Sequence, residues 1–195
     1  MRNVCLTICI LGGCCLPAHA GEIEDAANEG IKLYKMGSLK EAAAQWDYAA
    51  TLARQEIAQQ VAELLPGPLP GWSLEDGGNE GFGGGMFGGG VSVQRSYRKE
   101  AGDESVELQL MSDNPMMQSM SMMFANPSMA AMSGMKFRTV AGQRALLQDK
   151  GQDYELIFSL RDGKAMLMIE ASGGDAAANA EAYAEAIDFK ALNEK

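Results

Sequence analysis

The apolar positions of this chain follow two different periods. Through residues 22–65 they recur every three or four residues, which predicts two helices separated at Met36-Gly37, with Ser38 as the N-cap of the second. From residue 91 onward they alternate with polar positions, which predicts antiparallel strands. The pattern therefore predicts an α+β fold, in which an N-terminal helical hairpin precedes an antiparallel sheet of about six or seven strands with helices on one face.

Breaks in this pattern suggest where the parts of the chain begin and end. Residues 1–20 have the composition of a signal peptide, and residues 21–65 form the predicted hairpin. A connector and loop rich in proline and glycine follow at 66–90. We expect an antiparallel α+β domain over 91–195, interrupted by a methionine-rich helical insert at 114–135.

Residues 27–53 resemble a single tetratricopeptide-repeat hairpin. The residues at matching spacings are Gly30, Leu33, Tyr34, Gly37, Leu39, Glu41, Ala42, Trp46 and Ala49. Such repeats have a period of about 34 residues and need roughly three copies to bury a continuous core. No second copy follows, and the proline that closes the repeat is missing. The resemblance therefore implies that the hairpin packs on its own second domain or on another chain.

The whole chain also resembles exported bacterial proteins of the proteobacterial type that are uncharacterised. The resemblance rests on the helical hairpin, the segment LLPGPLPGW and the methionine-containing insert. At the level of topology alone, the predicted strand and helix order is similar to the PsbP/Mog1-like group. These resemblances imply an envelope location and no particular activity.

Export is also expected from the first twenty residues. Arg2 precedes a short apolar run, and Ala18-His19-Ala20 matches the small-x-small pattern before a cleavage after Ala20. The run is shorter than the ~20 residues that span a bilayer, so no transmembrane segment is predicted. A second possibility remains, because the residues ending at Cys14 resemble a lipobox and would place a lipid anchor on that cysteine.

Cleavage after Ala20 would remove every thiol and imidazole from the protein. All four cysteines and the single histidine, His19, precede this position. Histidine-dependent nucleophiles and zinc sites built from cysteine or histidine are therefore not expected. The net charge of −10 disfavours binding to nucleic acid. No catalytic residue and no cofactor is predicted, although plentiful carboxylates leave a carboxylate-dependent hydrolase as a distant alternative.

The most unusual segment, Met111 to Met135, holds nine of the 14 methionines. Their spacing predicts a helix that packs an apolar stripe on the open face of the sheet. Thioethers also suit Cu(I), so Met116, Met120 and Met123 form an alternative metal site. A third interpretation is an adaptable apolar surface for varied partners.

The principal hypothesis is a non-enzymatic periplasmic accessory protein that binds a protein partner or itself. A Cu(I)-binding envelope protein is the alternative. The residue 76–90 segment, nine of whose fifteen residues are glycine, is expected to be a flexible loop that carries apolar side chains at its tip. The predicted interaction surface consists of Tyr34, Trp46, Phe82, Phe87 and Met122.

Overall fold

The computed structural model describes residues 18–75, 81–83, 90–113 and 117–194, with the backbone alone at 18–20 and 81–83. The chain divides into two compact units, Met1–Ala49 and Ala50–Lys195. Apart from the backbone of residues 18–20, the predicted signal peptide and the predicted anchor at Cys14 lie outside the described residues.

The first unit contains a helical pair, as the sequence predicted. Helix α1 covers Ala18–Lys35, and helix α2 begins at Leu39 and continues to Ala62. Between them Gly37 has a φ of 84°, a left-handed conformation that glycine adopts without a steric penalty. The backbone N–H of Ala42 bonds to the carbonyl of Ser38 at 2.9 Å, which closes the first turn of α2.

The second unit is built on an antiparallel sheet, and the predicted α+β class is confirmed. The strands are β1 (Trp72–Leu74), β2 (Gly81–Gly83), β3 (Val91–Lys99), β4 (Ser105–Ser112), β5 (Lys136–Val140), β6 (Gln143–Asp149), β7 (Asp153–Leu160) and β8 (Ala165–Ser172). Seven of them follow the order β1-β3-β4-β8-β7-β6-β5, and β2 pairs with β3. Two antiparallel meanders thus join where β4 pairs with β8.

One edge of this sheet is an interrupted strand. Trp72 pairs with Lys99 and Gly81 pairs with Val93, so β1 and β2 both lie along β3. The glycine-rich segment that the sequence predicted to be a loop therefore contains a short strand. Glycine is a weak strand former, and its position here depends on pairing with a long neighbour. Residues 76–80 and 84–89 lie outside the described part of the chain.

The main hydrophobic cluster lies on one face of the sheet. Helix α5 (Ala176–Glu185) and helix α6 (Phe189–Glu194) supply buried residues to it, together with the end of α2. At its centre the rings of Tyr97 and Tyr183 have centroids 4.5 Å apart, and Trp72 meets Tyr183 edge-on at 5.5 Å. Burial raises the pKa of the Tyr183 hydroxyl to about 12.

Helices also pack on the other face, the open face of the sheet on which the sequence predicted a methionine-rich helix. Helix α3 (Met117–Ala125) and helix α4 (Pro127–Met132) connect β4 to β5. Their buried residues, Met117 and Ala130, form a second cluster with sheet residues Leu146, Ile157 and Met166. Side chains of a strand alternate between faces, so the apolar ones opposite the main cluster need their own cover.

The proline-rich connector after α2 is held against the sheet. The guanidinium Nη1 of Arg95 donates to the carbonyl oxygens of Leu65 at 2.7 Å and Pro66 at 3.2 Å. The backbone N–H of Leu69 donates to the Tyr183 hydroxyl at 3.4 Å. The C-terminal half of α2 also belongs to the main cluster through Val61. The division between the two units falls within α2, between Ala49 and Ala50.

Candidate functional site

The hairpin of the first unit brings two of the predicted interaction residues together. The rings of Tyr34 on α1 and Trp46 on α2 have centroids 6.0 Å apart, at an interplanar angle of 41°. Both side chains remain exposed, Tyr34 at 56% and Trp46 at 42%. Aromatic pairs of this kind offer large, rigid contact area with a polar group at one end.

The indole of Trp46 lies against α1 because position 30 has no side chain. A Cβ atom built on Gly30 would lie 2.4 Å from Trp46 Nε1, which is closer than any real contact. The absence of a side chain at Gly30 therefore leaves the space in which the Trp46 ring lies against α1. The rest of the Trp46 side chain remains exposed. The tetratricopeptide resemblance matched both residues, but it gave no indication that the ring would remain 42% exposed.

The hairpin buries small side chains and exposes large ones. Within residues 21–49, the buried apolar side chains are those of Ala26, Ala42 and Ala49. The exposed large apolar residues in this range are Ile31, Tyr34, Met36, Leu39, Trp46 and Tyr48. This distribution is the reverse of a self-sufficient core, in which large side chains are buried.

Four of these exposed residues lie on one side of the hairpin. Ile31 and Tyr34 are three positions apart on α1, and Leu39 and Trp46 are seven positions apart on α2, so each pair follows one stripe of its helix. The contact between Tyr34 and Trp46 places the two stripes side by side. We call Ile31, Tyr34, Leu39 and Trp46 the hairpin face.

The opposite side of the hairpin is polar. The Tyr48 hydroxyl donates to Glu22 Oε1 at 2.7 Å, which links α2 to the beginning of α1. Tyr48 is two positions beyond Trp46, so the two side chains leave α2 in nearly opposite directions. The hydrogen bond to Glu22, followed by the charge of its carboxylate, raises the pKa of Tyr48.

The remaining predicted interaction residues belong to the second unit. Met122 is 52% exposed, but it belongs to α3 in the second unit. The backbone of Phe82 lies in β2, and its side chain is outside the described residues, as is the whole of Phe87. Among the described residues, the predicted surface is therefore brought together only at Tyr34 and Trp46.

The structure describes two of the three methionines of the alternative Cu(I) site. Met120 and Met123 are partly buried and pack against the second cluster, and Met116 lies outside the described residues. Met120 and Met123 therefore pack on the sheet, as the packing interpretation of the methionine segment predicted. The most exposed methionine of the described part is Met132, at 89%, which was not among the predicted ligands.

A row of three carboxylates crosses the sheet, and the sequence did not reveal it. Glu170 on β8 pairs with Glu107 on β4 and with Glu155 on β7. Burial, together with the nearby Glu170 charge, raises the pKa of Glu107; burial also raises the pKa of Glu155, against the opposing charge of Lys150. Each glutamate interrupts an apolar strand, but their proximity depends on strand register.

This row does not amount to a metal centre. In the described ranges, no group of three or more histidine, cysteine, aspartate or glutamate side chains is arranged to hold a metal ion. The row places like charges side by side, an arrangement that costs stability.

Comparisons with known proteins give no relative from which a role could be transferred: no protein-family model, curated protein or solved structure matches the chain. Across the part of the chain that the structure describes, no helix has both the length and the apolar character needed to cross a bilayer.

Proposed function

We propose that this protein is a non-enzymatic accessory protein of the bacterial periplasm that binds a protein partner through the hairpin face. The observation that carries the proposal is the inverted distribution of side chains in residues 21–49. Alanines occupy the buried positions, while Ile31, Tyr34, Leu39 and Trp46 are each more than 40% exposed. A contiguous exposed apolar surface is typical of an interaction site.

The chemistry of the hairpin face suits a protein partner. Tryptophan and tyrosine are enriched among residues that dominate binding energy, since they bury large areas and lose little rotamer freedom. Gly30 fixes the position of the Trp46 ring, so part of the ordering cost is already met in the free protein.

The periplasmic location rests on the sequence of residues 1–20, and the non-enzymatic role on the chemistry that export would leave. After cleavage behind Ala20, the chain contains no cysteine or histidine. The packing of Met120 and Met123 against the second cluster favours protein binding over Cu(I) coordination, because these thioethers already have apolar neighbours.

Site-specific photo-crosslinking in cells that export the protein tests this proposal. A photoreactive phenylalanine analogue replaces Tyr34 on the hairpin face in one variant and Tyr48 on the polar side in the other. These residues are matched in type and in exposure, at 56% and 47%. We expect a discrete crosslinked protein from position 34 and none from position 48. Equal labelling from both positions, or none from position 34, contradicts the proposal.

A further inference from the structure

Charged side chains on the hairpin are segregated along its length. The end at which α1 begins carries Glu22, Glu24 and Asp25, and Asp47 of α2 belongs to the same end. The end at which the helices are joined carries Lys35 and Lys40, with Glu41 as the exception. Between the two ends, Lys32 and Glu29 form an ion pair at 3.2 Å. One end of the hairpin is therefore acidic and the other basic.

The acidic and basic ends flank the hairpin face, so they favour one orientation of a partner that covers it. Lys35 lies next to Tyr34, and Lys40 next to Leu39, at the basic end. Glu24 lies about two turns before Ile31 on the same stripe of α1, toward the acidic end. A partner of matching shape would have to present its own charges in the reverse order along the same apolar stripe.

A second copy of the hairpin has this order when it is turned end for end. After cleavage behind Ala20, α1 keeps residues 21–35 and is about 22 Å long, and two helices side by side are about 20 Å wide. The face thus offers roughly 450 Å² of flat area to an identical face, below the ~800 Å² per partner of standard interfaces. The size predicts a reversible, concentration-dependent association.

We propose that the occupant of the hairpin face is a second copy of this chain, packed antiparallel about a two-fold axis so that two hairpins form a four-helix bundle. The inference rests on the proposed function and specifies its partner. Two-fold symmetry makes the contact twice, so each lysine end lies over the acidic end of the other copy. A parallel arrangement would instead place lysines beside lysines. The four-helix bundle buries Tyr34 and Trp46 in the way that such bundles bury their core positions.

Charge reversal at exposed positions tests the antiparallel arrangement without changing the hairpin face. One variant carries Lys35→Glu and Lys40→Glu, and the other carries Glu24→Lys and Asp25→Lys; all four side chains are exposed. The proteins are recovered after export, checked for unchanged helix content by circular dichroism, and studied by sedimentation velocity over a concentration series. We expect the wild type to show a monomer–dimer equilibrium. Each variant alone should dimerise about tenfold more weakly. Lys35→Glu with Lys40→Glu sets acidic ends over each other, and Glu24→Lys with Asp25→Lys cancels most of the negative charge that faces the lysines.

Mixing the two variants gives the decisive measurement. In an antiparallel mixed dimer the reversed positions of one variant lie over those of the other and carry opposite charges, so an equimolar mixture should dimerise more strongly than either variant alone. The control carries Lys164→Glu and Lys190→Glu, two exposed positions in the second unit, and changes the net charge by the same amount as Lys35→Glu with Lys40→Glu. Its dimerisation should equal that of the wild type.

The outcomes separate this inference from the proposed function. A wild type that remains monomeric throughout the concentration series overturns self-association, as does a mixture that stays monomeric. If position 34 nevertheless crosslinks to a different protein, binding through the hairpin face stands and only the identity of the partner is wrong. If it crosslinks to nothing, both proposals fall.

Discussion

The two units of this protein bury opposite kinds of side chain. In the first unit, alanines are buried and Tyr34 and Trp46 are exposed. In the second unit, the largest fully buried side chains include Tyr97, Tyr183 and Phe158. Burial of apolar area stabilises a fold by roughly 25 cal/mol per Å², so the sheet unit gains far more from its own packing than the hairpin does.

The two units therefore differ in how their large apolar side chains are covered. The sheet unit has a core on each face and meets its own need for apolar burial. The hairpin keeps large apolar side chains exposed, and the proposed partner would cover them. Four substitutions test how far this contrast holds: two in the clusters of the sheet unit, one in the hairpin and one in the carboxylate row.

Truncation of a central residue in the sheet unit should have the largest effect. Phe158 is buried in the main cluster, where its ring centroid lies 4.8 Å from that of Phe189. Phe158→Ala should lower the free energy of unfolding by about 3–5 kcal/mol, since it removes apolar contacts and leaves a cavity. Denaturant unfolding followed by circular dichroism measures this change.

The matching substitution on the other face is Met117→Ala in the second cluster. Its cost should be nearer to 2 kcal/mol, at the lower end for buried methionine, because many neighbours in that cluster are only partly buried. Equal costs for Phe158→Ala and Met117→Ala would show that the two clusters contribute alike.

In the hairpin, Gly30→Val should displace Trp46 and leave the sheet unit intact. The new Cβ would need space that the indole occupies, and overpacking of this kind costs about 1–3 kcal/mol locally. Of the two tryptophans, Trp72 is buried, so a red shift of fluorescence emission would report on Trp46. Asn28→Val, at an exposed position of the same helix, is the control and should leave the emission unchanged. An unshifted spectrum in Gly30→Val would mean that Gly30 does not position the ring.

The smallest effect is expected in the carboxylate row. Glu170→Gln removes the charge between Glu107 and Glu155, so it should stabilise the protein at neutral pH by less than about 1 kcal/mol. These side chains are not fully buried, and solvent screening limits the gain. Thermal or denaturant unfolding in parallel with the wild type measures it.

The dependence on pH identifies the cause of that gain. The pKa values of Glu107 and Glu155 are raised in the folded protein above the ordinary 4.5. Their protonation therefore favours folding below pH 4.5, and this contribution is lost as pH rises through the folded pKa values. The loss between pH 4.5 and neutrality should be smaller in Glu170→Gln than in the wild type. Glu104, whose pKa is lowered by its hydrogen bond to Lys99, has the opposite trend and is common to both proteins. Identical pH profiles would exclude the Glu170 charge as a cause.

Much of the fold follows from the sequence by local rules. The periods of the apolar positions predicted the helical pair and the antiparallel strands, because side-chain direction repeats every 3.6 residues in a helix and every two in a strand. Asp-Gly is a typical tight-turn pair, and Asp162-Gly163 lies in the turn between β7 and β8, where both residues have positive φ. Aspartate is a common helix cap, and Asp188 before the last helix accepts a hydrogen bond from the Ala191 N–H at 3.0 Å.

Only the tertiary structure decided which residues meet across the chain. Periodicity identifies an apolar side chain but does not say which neighbour covers it, so Tyr34, Trp46 and Met120 looked alike in the sequence. In the structure, Met120 packs on the sheet while Tyr34 and Trp46 remain outside. The pairing of Glu170 with Glu107 and Glu155 likewise depends on register between strands distant in sequence. Local patterns fix the conformation of a segment, whereas burial and charge proximity are properties of segments that meet only in the folded protein.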